Sequence, residues 1–108
     1  MVLQTSGVLS IETDAANSVS TDRVRVVRDI QAFVDSAPSG GSLDVVAKAN
    51  GIPIATLVVL SGAVQSGAFA PAGTLALAEG TKVNIDITAV PQGTNTFSGK
   101  NLSVQIRT

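Results

Sequence analysis

The sequence predicts an all-β fold: an antiparallel β-sandwich or jelly roll of about seven or eight strands with an extended N-terminal arm. Three observations carry that expectation. Apolar and polar residues alternate with period two over several segments, as strands with one buried face require. Turn residues punctuate those segments roughly every eight to twelve positions. The 108 residues are 44% hydrophobic and 14% charged, which supports a buried core and excludes disorder.

The first twenty residues differ from the rest and form their own region, with the sandwich expected over 21–108. Val2, Leu3, Val8, Leu9 and Ile11 are apolar, Gln4 to Gly7 are not, and Asp14 to Ser20 are small or polar. Residues 1–20 are either a first strand or an arm reaching a neighbouring subunit. Arg23 to Asp35 reads as strand in preference to a helix, which could use Val24, Val27 and Val34 but would bury Arg or Gln at intermediate positions. Val24 and Val26 alternate with Arg23 and Arg25; Ile30, Ala32 and Val34 alternate with Gln31, Phe33 and Asp35, and a bulge absorbs the slip between them. Ala37-Pro38-Ser39-Gly40-Gly41 is a turn expected to close a hairpin onto Ser42 to Ala49.

In that next segment Leu43, Val45 and Ala47 share one face. Asn50-Gly51 follows, then the β-branched run Ile52 to Leu60. Asn-Gly between two such runs marks a type I′ hairpin, whose two central residues need positive φ. Pro53 cannot donate to a ladder, so it belongs at a strand start or on an unpaired side. Ser61 to Gly73 reads as loop with a short strand near Gln65 to Phe69, and Thr74 to Ala78 as another short strand. Lys82 to Thr88 alternates clearly, with Val83, Ile85 and Ile87 inward and Lys82, Asn84, Asp86 and Thr88 outward. Pro91 to Lys100 is a polar loop, and Leu102, Val104 and Ile106 form the inner face of the closing strand. One-sided alternation of this kind is antiparallel.

Composition narrows the chemistry. The chain has no His, no Cys, no Tyr and no Trp. Most nucleophile–base pairs and zinc sites need His or Cys, so no catalytic residue, metal ligand or cofactor is assigned, and the chain is read as not an enzyme. The acids Glu12, Asp14, Asp22, Asp29, Asp35, Asp44, Glu79 and Asp86 are dispersed and read as solvated surface. Net charge is −1, and the one basic cluster, Arg23, Arg25 and Arg28, is bracketed by Asp22 and Asp29. It lacks the basic stripe of a nucleic-acid binder. No signal peptide is expected at Met1 to Gly7. The longest apolar run, Leu57 to Leu60, is far too short for a membrane span. A soluble protein made in the cytoplasm follows, with no membrane partner. Of the three aromatic residues, Phe33, Phe69 and Phe97, Phe97 lies in the polar loop and is the candidate loop contact.

Several motifs resemble a β-sandwich module common in tailed-bacteriophage virion proteins. They run from Ala37-Pro38-Ser39-Gly40-Gly41-Ser42-Leu43 through Asn50-Gly51, Ala55-Thr56-Leu57, Ser61-Gly62, Ser66-Gly67 and Leu77-Ala78-Glu79-Gly80 to Leu102-Ser103-Val104-Gln105-Ile106-Arg107. The opening Leu3 to Ser10 looks like that of small phage structural proteins. The resemblance implies a virion part made in the host bacterial cytoplasm. It implies a capsid decoration (cement) protein that holds the major capsid protein or other virion proteins non-covalently, as a homo-oligomer, with a trimer favoured. The same module resembles tail fibre, neck and baseplate accessory domains, which bind other virion proteins or host-surface glycan. The contact residues expected from this reading are Val2, Leu3, Val8, Leu9 and Ile11, on an arm whose removal leaves the sandwich folded.

Overall fold

The computed structural model describes Met1 to Thr108. Nine strands form: β1 (Val2–Val8), β2 (Val19–Ser20), β3 (Arg25–Val26), β4 (Asp29–Ser36), β5 (Leu43–Ala49), β6 (Ile52–Val59), β7 (Ala76–Leu77), β8 (Lys82–Ala89) and β9 (Lys100–Arg107). Every pairing is antiparallel. One sheet has the order β1-β9-β4, the other β2-β8-β5-β6, and β3 and β7 make a small ribbon. The two main sheets enclose one core of 19 buried apolar residues. Val83, Ile85 and Ile87 of β8 bury into that interior from one sheet and Leu102, Val104 and Ile106 of β9 from the other, as alternation requires. The fold is the antiparallel sandwich that the alternation predicts.

Local chemistry explains the turns. Asn50 and Gly51 adopt φ of 50° and 80°, so β5 and β6 pair through a two-residue connection, Ala49 opposite Ile52. Pro53 is the second residue of β6, which is an edge strand. The Thr21 hydroxyl donates to the Ala78 carbonyl (2.6 Å) and accepts from the Thr81 amide (3.0 Å). That pair of threonines ties β2 to the turn entering β8.

Three expectations are corrected. Ala37 to Gly41 does not close a hairpin: β4 and β5 lie in different sheets. Ile30, Ala32 and Val34 bury from one sheet while Leu43, Val45 and Ala47 bury from the other, and β9, β6 and β8 supply the pairing partners that β4 and β5 would otherwise share. The connection therefore crosses the sandwich. Val24 and Val26 do not face the core. Both are exposed, and Val27 is buried in their place, its amide bonded to the Leu75 carbonyl. The frame slip is a break between β3 and β4. Asn84, expected in water, is buried, because its side-chain oxygen accepts from the Ala16 and Ile85 amides and its nitrogen donates to Ser18 Oγ.

Each main sheet has one covered edge and one bare edge. Residues 64–69 cover β4: Ile30 and Phe69 exchange two backbone hydrogen bonds, Val34 donates to Val64, and Ser66 donates to Ala32. Residues 12–15 and β2 cover β8, through the mutual Glu12–Ile87 bonds and the Ala15 amide on the Ile85 carbonyl. β1 and β6 each pair on one side only. Because β6 packs against β4 across the sandwich, these two bare edges are diagonally opposed.

Candidate functional site

The N-terminal residues are the first strand. Met1 exchanges two backbone hydrogen bonds with Ile106, at 2.8 Å each, and the register continues with Leu3 opposite Val104 and Thr5 opposite Leu102. Alternation along the ladder turns the N–H and C=O groups of Leu3 and Thr5 toward β9. It turns those of Val2, Gln4 and Ser6 outward, where no partner meets them. At Gly7 the register shifts. Its φ of 85° suits glycine, and its amide donates to Asn101 Oδ1 at 2.7 Å. Asn101 Nδ2 donates in turn to Asp35 Oδ2 at 2.9 Å, so one side chain links β1, β9 and β4.

This geometry divides the five candidate contact residues. Leu3 and Leu9 are buried in the chain's own core and present nothing to a neighbour. Val2, Val8 and Ile11 are 50%, 64% and 59% exposed. Val2 and Val8 lie on the solvent face of β1 with Gln4 and Ser6. Ile11 lies on the crossing that follows, between Leu9, whose amide bonds to Gly99, and Glu12. A groove of about 280 Å³ opens at the middle of β1, lined by Gln4, Thr5, Ser6, Asp35, Asn101, Leu102 and Ser103. The site is thus a bare strand edge, three exposed aliphatic side chains and a polar groove. It suits an extended segment of another chain, which would gain main-chain hydrogen bonds from the edge and specificity from the side chains.

Phe97 is half-buried and lies in a two-hydrogen-bond bridge with Ser39. It is held across the sandwich end beside the crossing from β4 to β5.

Sequence reasoning missed an ionic cluster on the four-stranded sheet. Lys48 Nζ lies 2.5 Å from Asp14 Oδ1 and 2.8 Å from Asp86 Oδ1, and the Lys48 side chain is 11% exposed. The Asp14 amide also donates to Asp86 Oδ1 at 2.9 Å. These contacts raise the Lys48 pKa above the ordinary lysine value, chiefly through its hydrogen bond to Asp14 and then to Asp86. They hold the Asp86 carboxyl below the ordinary aspartate value, chiefly through its hydrogen bond from Lys48 and then from the Asp14 amide. Asp14 and Lys48 are far apart in sequence, and only the β5–β8 pairing and the covering segment bring them together. An open polar cleft of about 550 Å³ adjoins the cluster, lined by Asp14, Ser18, Lys48, Asn50, Gly51, Gly80, Lys82 and Asn84. No three acidic residues gather closely enough to hold a metal ion.

No protein-family model matches the chain, and no curated protein does. Among solved structures, the globular domain of a zebrafish complement 1qA protein is similar over 95% of this chain and 90% of that one, at 19% identity and a TM-score of 0.44. At that distance the likeness bears on neither activity nor partners.

Proposed function

We propose that this protein is a structural module of a larger particle that works by surface contact, and specifically that it is a bacteriophage capsid decoration protein stabilising the head by non-covalent contacts. The observation that carries the assembly reading is the bare β1 edge with Val2, Val8 and Ile11 exposed along it. The virion placement rests on the resemblance of the strand and turn motifs to phage sandwich modules. Strand addition by the major capsid protein at β1 would satisfy the free groups of Val2, Gln4 and Ser6 and bury aliphatic surface at about 25 cal/mol per Å². Many copies on one shell make weak single contacts sufficient.

Cosedimentation with undecorated heads tests this. The purified protein is expected to load the heads, and Val8→Lys combined with Gln4→Lys is expected to weaken loading by at least about tenfold. Full loading by the folded double variant would remove the β1 edge from the contact. No loading by the native protein would remove the decoration reading.

The alternative is a tail fibre, neck or baseplate accessory module that binds host-surface glycan. The polar cleft beside Lys82 and Asn50 favours it, since a hydroxyl-rich ligand needs such hydrogen-bonding side chains. Glycan binding lost on Lys82→Ala, with no loading of heads, would select this reading.

A further inference from the structure

The second bare edge, β6, does not belong to the contact just described, because it lies diagonally across the sandwich from β1. We propose that β6 is a self-association edge, pairing antiparallel with β6 of a second copy about a two-fold axis near Leu57 and extending the four-stranded sheet to eight.

The backbone provides the donors and acceptors. Ala47, Val45 and Leu43 of β5 pair with Ala55, Leu57 and Val59 of β6. The Asn50 amide bonds away from β6, to the Lys82 carbonyl. Alternation along β5 therefore directs Ala47, Val45 and Leu43 toward β6. On β6 it leaves the N–H and C=O groups of Thr56 and Val58 on the outer side, without partners. In an antiparallel pair centred on Leu57, Thr56 of one copy faces Val58 of the other, twice. Four hydrogen bonds form with no rearrangement of either chain.

Charge identifies the occupant. From Ala49 to Ala78 the chain contains no Asp, Glu, Lys or Arg. This stretch holds β6 and the segment covering the neighbouring β4 edge, so the whole flank is uncharged. An isologous contact sets each residue near the axis close to its own copy. A charge there would meet an identical charge, and this flank has none. Asp44, opposite Val58 on β5, is the nearest charge across the ladder. Its copy would lie three inter-strand steps away, roughly 14 Å, beyond the screening length of about 8 Å at physiological salt. Edge strands are ordinarily protected by charges, prolines or bulges. β6 has no charge, and its Pro53 and the register shift at Ile54 blunt only its start, leaving Thr56 to Val59 open, with Val58 exposed on the strand and Leu60 exposed just beyond it.

The contact is small. A strand edge of this length covers on the order of 300 Å² per copy, against about 800 Å² per partner in a standard stable interface. Association is accordingly weak in free solution and strengthened where a particle concentrates the copies.

Sedimentation velocity of the full chain across a micromolar to near-millimolar series tests the proposal. The expected result is a reversible shift from the 10.9 kDa monomer toward twice that mass. Val58→Lys is expected to keep the chain monomeric throughout, and Val24→Lys, at an exposed valine just before β3, to leave the shift unchanged. Amide hydrogen exchange on the native chain gives an independent readout: protection at Thr56 and Val58 rises with concentration. A native chain that stays monomeric, a dimer or trimer that survives Val58→Lys, or concentration-independent exchange at Thr56 and Val58 would each overturn the proposal. None of these measurements involves phage heads, so the outcome is separable from the fate of the decoration reading.

Discussion

Lys48 Nζ and Asp14 Oδ1 lie 2.5 Å apart, and this pair fastens the segment after β1 onto the middle of the four-stranded sheet. Asp86 shares the ammonium group, so a nearly buried cation is matched by two carboxylates. Removing one partner from such a cluster leaves uncompensated charge and is destabilising. Lys48→Met keeps the bulk and removes the cation. It is expected to lower Tm by a few degrees and to speed amide exchange at Ala15, whose hydrogen bond to Ile85 depends on the segment staying down. An unchanged Tm and unchanged Ala15 exchange would show that the backbone bonds alone hold the segment.

The same cluster sets a pH window. Asp86 is held below its ordinary pKa, so between its folded and unfolded values the unfolded chain binds more protons. Its contribution is present above the unfolded value of about 3.9 and disappears as pH falls through the lower folded value. Lys48 is raised. Its contribution is present below the unfolded value of about 10.4 and disappears as pH rises through the higher folded value. Thermal melts should therefore be nearly flat between about pH 5 and about pH 9.5, with a loss on each side. In Lys48→Met the alkaline loss should shrink. An alkaline loss of the same size in that variant would assign it to other groups.

Leu3 and Val8 distinguish an integral first strand from a detachable arm. Leu3 is 1% exposed and belongs to the core, whereas Val8 projects into solvent from the same strand. Leu3→Ala should cost about 2–5 kcal/mol in urea denaturation, and Val8→Ala should stay within about 0.5 kcal/mol. Deleting residues 1–11 should unfold the domain, since it removes Leu3, Leu9 and the β9 partner strand together. A deletion variant with a native cooperative transition would restore the arm reading.

The elements legible in the sequence were those whose signal is local. Lys82 to Thr88 and Leu102 to Ile106 announce themselves by alternation, and Asn50-Gly51 by the positive φ that its turn demands. What was not legible depends on partners distant in sequence. Ala37 to Gly41 has hairpin chemistry, yet whether it closes a hairpin or crosses between sheets depends on β9 occupying the β4 edge. Val27 rather than Val26 is buried because the Leu75 carbonyl and the C-terminal end of β9 hold the break between β3 and β4 through the Val27 and Arg28 amides. In the candidate site, apolarity located Val2, Leu3, Val8, Leu9 and Ile11 but could not separate inward from outward side chains. The Gly7 bulge shifts the register between Thr5 and Val8.

Ser66 shows how the covered edges differ from the bare ones. Its hydroxyl accepts from the Ala32 amide at 2.9 Å and donates to the Gly67 carbonyl at 2.9 Å, while its carbonyl accepts from Gln31 Nε2 at 2.8 Å. It is buried, and it pins the 64–69 segment over β4 from both backbone and side chain. Ser66→Ala leaves the Ala32 amide without that acceptor inside the protein, a loss of about 1–3 kcal/mol. Ser61→Ala, at an exposed position, should change stability by less than about 0.5 kcal/mol. Loosening this cover also frees a third edge, so the variant should exchange the Ala32 and Val34 amides faster and aggregate more readily on heating. Native-like exchange at both amides in Ser66→Ala would show that the Ile30–Phe69 and Val34–Val64 bonds suffice to close the edge without the serine.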